Sequence, residues 1–233
     1  QLTRPDIVFA PGAYDALSAK IAADSGAGAV YMSGFGVAGS TLGVPDVGLL
    51  GAVEMADRAR ALASAAGPVP LIADADNGHG GVLNVARMTR LYEQAGVQCM
   101  QLEDQVSPKR CGHMAQKEVV DLQEAADKIA AAVAARSSAD FLIMARTDAR
   151  AVLGFDEALR RGEAFLRAGA DLLFIEAPQS QDELVKVADT FKDVPLVANM
   201  VEGGQTPYLS ARELQQIGFS VVIYPVSTLL VIA

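Results

Sequence analysis

Apolar runs of strand length alternate with amphipathic stretches along the whole chain. The runs are Ile7–Ala10, Ala29–Met32, Pro70–Ala73, Val97–Leu102, Phe141–Ala145, Leu172–Ile175, Leu196–Ala198 and Ser220–Tyr224. Each is nearly continuous in apolar side chains, as in strands buried on both faces of a parallel sheet. Between them, apolar residues recur at helical spacing in Tyr14–Ser25, Glu54–Ala66, Leu83–Ala95, Glu124–Ala135, Asp156–Ala168, Gln181–Phe191 and Ala211–Ile217. Gly26, Gly67, Gly96, Gly169 and Gly218 follow such stretches, where helices commonly stop. No linker or low-complexity tract interrupts the rhythm, so residues 1–233 are expected to form one domain.

Eight strands separated by seven helices predict a (β/α)8 barrel of the TIM type. An open doubly wound sheet shares the alternation, but usually with fewer strands and a glycine-rich first turn. Pro11-Gly12-Ala13-Tyr14 stands in that place instead. The chain is expected to stop after the eighth strand, before any eighth helix, with Leu229-Leu230-Val231-Ile232 still apolar. The domain therefore reads as truncated at its C-terminus.

The charge balance narrows the partners. With 19 Lys+Arg against 28 Asp+Glu, the net charge is -9, the wrong sign for a nucleic-acid footprint. No apolar stretch approaches the ~20 residues of a membrane span. The nearest, Val221–Ala233, is broken by Pro225. No secretory pattern opens the chain, and two cysteines make no disulfide framework, so a reducing, cytoplasmic setting is expected.

In a barrel, catalytic groups gather at the C-terminal ends of the strands. Those ends carry Tyr31-Met32-Ser33-Gly34, Asp74-Ala75-Asp76, Glu103-Asp104, Arg146-Thr147-Asp148, Glu176 and Asn199, and the eighth strand runs into Ser227. So many carboxylates on one rim need a counter-charge. Asp74 and Asp76, two apart on an extended segment, would point to one side, and Glu103 on the next strand would complete an all-oxygen site. Such donors favour Mg²⁺, with Mn²⁺ as a substitute, over zinc. A surface cluster capping helix N-termini is the alternative. The 17 residues Gln105–Asp121 show no helix or strand pattern, as in binding loops. They hold Lys109-Arg110-Cys111-Gly112-His113, where cationic neighbours favour a thiolate fit for proton transfer or nucleophilic attack. Gly112 lets backbone approach a ligand. Cys99 fits a buried core position, and His79 reads as a loop residue without an assigned task.

On these residues the chain resembles the phosphoenolpyruvate mutase/isocitrate lyase superfamily, nearly end to end. The likeness runs through Pro11-Gly12-Ala13-Tyr14-Asp15-Ala16, Ser33-Gly34, Gly43-Val44-Pro45-Asp46, Asp74-Ala75-Asp76 and Glu103-Asp104-Gln105. It continues through Lys109–His113, Ala145-Arg146-Thr147-Asp148-Ala149, Glu176-Ala177 and Asn199-Met200-Val201-Glu202-Gly203-Gly204. The cysteine motif marks a lyase-like subset. The resemblance implies a Mg²⁺-dependent barrel acting on small 2-oxo or 2-hydroxy carboxylates through an enolate-type intermediate. It implies Asp74, Asp76 and Glu103 as metal ligands, partly through water. Cys111 becomes the general acid/base, with Lys109, Arg110 and His113 setting its charge environment; Tyr31 joins them as a candidate catalytic residue. Substrate contacts fall to Ser33, Gly34, Asp46, Gly112, Arg146, Glu176, Asn199 and Ser227.

Methylisocitrate lyases place an Arg shortly after strand eight for a further carboxylate, whereas this chain has Leu there, within Pro225–Leu230. The segment from Asn199 to Pro207 instead resembles dimethylmalate lyase, oxaloacetate hydrolase and carboxyphosphonoenolpyruvate phosphonomutase. Carbon–carbon cleavage of a substituted malate or an oxaloacetate-like diacid is the expected activity. The phosphonomutase reaction and methylisocitrate cleavage are the alternatives, and a non-catalytic acid-binding barrel is a distant third. The resemblance also implies a homo-oligomer, a dimer of dimers, in which the eighth helix is exchanged between subunits.

Overall fold

The computed structural model describes residues 6–110 and 116–232. Eight parallel strands carry the fold: β1 (Val8–Ala13), β2 (Val30–Met32), β3 (Leu71–Asp74), β4 (Cys99–Glu103), β5 (Leu142–Thr147), β6 (Leu172–Ile175), β7 (Val197–Asn199) and β8 (Val221–Tyr224). Their order is β6-β5-β4-β3-β2-β1-β8-β7. The parallel bridge Leu173↔Leu196 and the bond from Leu173 N to Pro195 O (3.1 Å) join the two ends of that sheet, so it closes as a barrel.

Two apolar layers follow from the period-two alternation of strand side chains. Inward-facing Val8, Ala10, Tyr31, Ile72, Cys99, Met144, Leu172, Phe174, Val221 and Ile223 fill the barrel. The opposite faces pack against the helices through Val30, Met32, Leu71, Met100, Ile143 and Leu173. Those helices are α1 (Ala16–Asp24), α2 (Gly34–Leu42), α3 (Ala52–Ala66), α4 (Val82–Ala95), α5 (Leu122–Ala135), α6 (Ala149–Val152), α7 (Phe155–Arg167), α8 (Gln181–Thr190), α9 (Ala211–Ile217) and α10 (Ser227–Ile232). None of them is long and apolar enough to cross a membrane.

The barrel expectation holds, with three added helices. α2 and α6 start straight after β2 and β5, and α10 corrects the expectation that no helix follows β8. α10 leans on β1, where Thr228 Oγ1 donates to Gly12 O at 2.6 Å. An apolar groove of about 790 Å³ lies between α10 and α1, with Leu17 68% and Val231 87% exposed. β1 also runs three residues beyond its expected end, through Pro11 and Gly12, because both remain paired with their neighbours, Pro11 with Tyr224 and Gly12 with Tyr31.

Candidate active site

A cleft of about 440 Å³ opens at the C-terminal rim of the barrel, lined on its polar side by Tyr31, Ser33, Asp46, Asp74, Glu103, Lys109, Arg110, Arg146, Glu176 and Asn199. Strand direction explains the convergence, since all but three of these stand on a strand or at its C-terminal end; Asp46, Lys109 and Arg110 come from loops.

β2 delivers Tyr31 and then turns into α2, whose N-cap is Ser33; the Ser33 hydroxyl accepts from Gly36 N at 3.2 Å. The positive end of α2 thus lies at the cleft. Gly34, its first residue, has no room for a side chain: a Cβ there would lie 2.8 Å from Asp74 Oδ2 and 3.3 Å from Asp76 Oδ1. Asp74 ends β3. Contrary to expectation, Asp76 does not continue an extended segment; its φ of 49° is left-handed. The two carboxyls still meet, because the turn folds back and Asp76 N donates to Asp74 Oδ1 at 3.0 Å.

Lys109 was expected to serve the cysteine, yet its ammonium reaches into the acid cluster, 2.6 Å from Asp46 Oδ1 and 2.7 Å from Asp76 Oδ1. It is almost fully buried, and the surrounding carboxylates hold its pKa well above the lysine range despite the opposing effect of burial. Gln101, not among the residues expected at the site, accepts from the Tyr31 hydroxyl at 2.9 Å through Oε1 and donates to Asp74 Oδ1 at 3.1 Å through Nε2. Its signal was present: Cys99, Gln101 and Glu103 alternate along β4, so all three face inward. Burial drives the Tyr31 hydroxyl well above its ordinary pKa, and Asp74 adds to it, so Tyr31 stays a protonated hydrogen-bond donor.

Arg146, on β5, lies among three acids. Its Nε and Nη2 bond Asp148 at 2.9 and 3.1 Å, while Glu103 and Glu176 stand 3.5 and 3.7 Å from Nε. Its guanidinium also covers the Phe174 ring at 5.2 Å, a stack that fixes the plane of the fork. Asn199 Nδ2 donates to Glu176 at 3.3 Å, and Asn199 Oδ1 is buried without a hydrogen-bond partner. Arg110 lines the cleft mouth, its backbone held by two bonds to the Gln105 amide, 2.9 and 3.0 Å.

Three of the expected residues, Cys111, Gly112 and His113, lie outside the described residues. Ser227 does not join the cleft; it begins α10, bonds Glu202 and borders the groove against α1. Cys99 is a core residue, its thiol pushed up by burial. His79 occupies a left-handed turn (φ 57°), and burial lowers its pKa.

The donor chemistry suits a hard divalent cation. Asp74, Asp76 and Glu103 offer only oxygen, and Glu103 Oε1 is buried without a hydrogen-bond partner. Among the described residues, seven buried carboxyl groups (Asp46, Asp74, Asp76, Glu103, Asp104, Asp148, Glu176) stand against five buried cations, and one of these, Lys128, bonds Asn77 O and Glu124 rather than any of the seven. Burial lifts Asp74 to about 6, with Asp76 adding to the shift, and raises Glu103 well above the carboxylate range. Both are the marks of under-compensated acids. Among the described residues no three such side chains are drawn into a coordination group, and the Lys109 ammonium stands at Asp76.

A closed parallel barrel with an acid cluster, an arginine and a helix N-terminus at its C-terminal rim defines an enzyme built to hold small anions. The chain belongs to the phosphoenolpyruvate phosphomutase family, whose model matches residues 1–233. It is 52% identical to the 2,3-dimethylmalate lyase of Eubacterium barkeri, across 99% of this chain and 79% of that protein. It is 45% identical to the 2-methylisocitrate lyase of Bacillus subtilis, across 98% and 74%. The crystal structure of 2,3-dimethylmalate lyase in its trigonal form superposes with a TM-score of 0.96 at 40% identity, covering 99% of this chain and 78% of that one.

Proposed function

We propose that this enzyme cleaves a carbon–carbon bond in a small 2-hydroxy or 2-oxo dicarboxylate, a substituted malate being the best fit, through an enolate-type intermediate. The observation that carries the reading is the pairing, in one cleft, of the Asp74/Asp76/Glu103 cluster with Arg146. One side of such a site stabilises charge on oxygen while the other grips a carboxylate. The remaining wall is apolar (Phe35, Val201, Pro225, Val226), a surface that suits an alkyl substituent. The likeness to 2,3-dimethylmalate lyase supports the same substrate class.

Asp74, Asp76 and Glu103 would hold Mg²⁺, or Mn²⁺ in its place, which when bound supplies Lewis-acid stabilisation of negative charge developing on oxygen. The Arg146 fork and the N-terminal turn of α2 orient the substrate carboxylates. Loss of the 2-hydroxyl proton to a carboxylate of the rim lets the C2–C3 bond break; C2 becomes the carbonyl of a 2-oxo acid, and the electron pair passes to C3 as the enolate of the second product. Proton return to that carbon is the task of the Cys111 thiol, beside Arg110 and His113. Buried and protonated, Tyr31 donates a hydrogen bond and is not the base. The same reading places the enzyme in the cytoplasm as a homo-oligomer.

A Mg²⁺-supplemented panel of substituted malates, oxaloacetate, methylisocitrate and carbon–phosphorus acids, read by product identity, tests the proposal. A 2-oxo acid and a shorter monocarboxylate from a malate, lost on chelation, are the expected result. Turnover confined to a carbon–phosphorus acid overturns it.

A further inference from the structure

Arg146 does not stand alone behind the cleft. Its partner Asp148 is fully buried, and Asp148 Oδ1 accepts from both Arg146 Nη2 (3.1 Å) and Lys117 Nζ (2.6 Å). Lys117 comes from residues 116–120, a segment fixed to the barrel by three further contacts. Val120 N donates to Asp104 O at 2.9 Å, Val106 N donates to Glu118 O at 3.1 Å, and Arg161 Nη2 donates to Val120 O at 2.9 Å. Asp104 in turn receives Thr147 Oγ1 at 2.6 Å, Asp148 N at 2.9 Å and Arg161 Nη1 at 3.0 Å. The backbone of 147–148 is therefore held rigidly from below, and what remains adjustable is the share of the Asp148 charge taken by Arg146.

We infer that Lys117 is a positioning residue for Arg146: by neutralising Asp148 it leaves the arginine's outer edge electropositive and aimed at a ligand carboxylate. The inference rests on the proposed role of Arg146 in gripping the substrate. All described hydrogen bonds of Arg146 run through Nε and Nη2 to Asp148, which leaves Nη1 for a ligand. A lone buried Asp148 would draw the full guanidinium charge; with Lys117 at 2.6 Å the carboxylate has two cations. The depressed pKa of Asp148 agrees, with Arg146 the first of its lowering causes and Lys117 the second. An uncharged residue at 117 turns Arg146 into the sole counter-ion of Asp148 and weakens its hold on a second carboxylate.

The test compares the affinity of the Mg²⁺-supplemented protein for malonate with that for propionate, by calorimetry, in the wild type and in Lys117→Met, Lys117→Gln and Lys117→Arg. A second carboxylate discriminates a loss of Arg146 positioning from a general loosening of the fold, which would weaken both probes equally. The expected result is a wild-type preference for malonate that falls about tenfold in Lys117→Met and Lys117→Gln and is retained in Lys117→Arg. A preference that survives in both uncharged variants overturns the inference while leaving the proposed function standing. No preference in the wild type removes the role of Arg146 itself, and both readings with it.

Discussion

At the scale of single residues, the rim was legible because an ionisable group placed directly after an apolar strand has few structural reasons to be there. Asp74, Glu103, Arg146, Glu176 and Asn199 were found in this way, and they line one cleft. Lys109 was misread because sequence neighbours in a loop say nothing about where a long side chain ends; its ammonium crosses to Asp46 and Asp76. The buried acids make the stability of the protein depend on pH in two opposite ways. Asp74 sits above its ordinary value, at about 6, so the folded state binds that proton more tightly. In chelator, stability should therefore rise as pH falls from about 6 towards 4. Asp148 lies below its ordinary value, at about 2. Its contribution, about 2 kcal/mol, is complete above pH ~4 and lost as pH falls towards 2. Urea melts across this range should show a maximum near pH 4 to 5, and Asp148→Asn should abolish the steep acid limb. A flat profile through both windows contradicts the assignment of these charges.

At the scale of elements, seven of the ten helices and all eight strands among the described residues follow from periodicity, with ends at most three residues from the expected ones. Those that escaped are short or lack the pattern. α2 reads Gly-Phe-Gly-Val-Ala-Gly-Ser-Thr-Leu, whose three glycines disfavour helix; the Ser33 cap and close packing of Gly36 against Tyr14 hold it. α6 has four residues, too few to show a period. The apolar run of β1 ends before Pro11-Gly12, yet the strand continues through both, and the constraint here is tertiary. A Cβ on Gly12 would lie 2.2 Å from Pro225 O, where the chain leaves β8. Gly12→Ala must therefore move backbone at the junction of β1, β8 and α10. It should destabilise the protein by about 3 kcal/mol or more, read as a drop in the urea midpoint at unchanged slope. A loss below about 0.5 kcal/mol would contradict the tight closure at this seam.

At the scale of the whole molecule, the barrel carries the cleft at its C-terminal rim and an apolar groove on one flank. The groove between α1 and α10 exposes Leu17, Ile21, Val231 and Ile232 together, an apolar surface of the kind that soluble monomers rarely leave in water. Light scattering should report a homo-oligomer, and Leu17→Glu with Ile21→Glu should shift it towards smaller species without loss of helix content. A stable monomer in the unsubstituted protein contradicts that assignment. The central claim, however, is chemical: the acid cluster and Arg146 hold a diacid while a carbon–carbon bond breaks to an enolate, which is then protonated from the enzyme. The most direct measurement is turnover of 2,3-dimethylmalate with Mg²⁺ in D₂O, followed by NMR of the products. A thiol or any other exchangeable acid carries deuterium under these conditions, so one deuterium should appear on the carbon beside the carboxylate of the monocarboxylate product, alongside an equal amount of 2-oxo acid. Cleavage without deuterium at that carbon, or no cleavage of any malate in the series, would contradict the account.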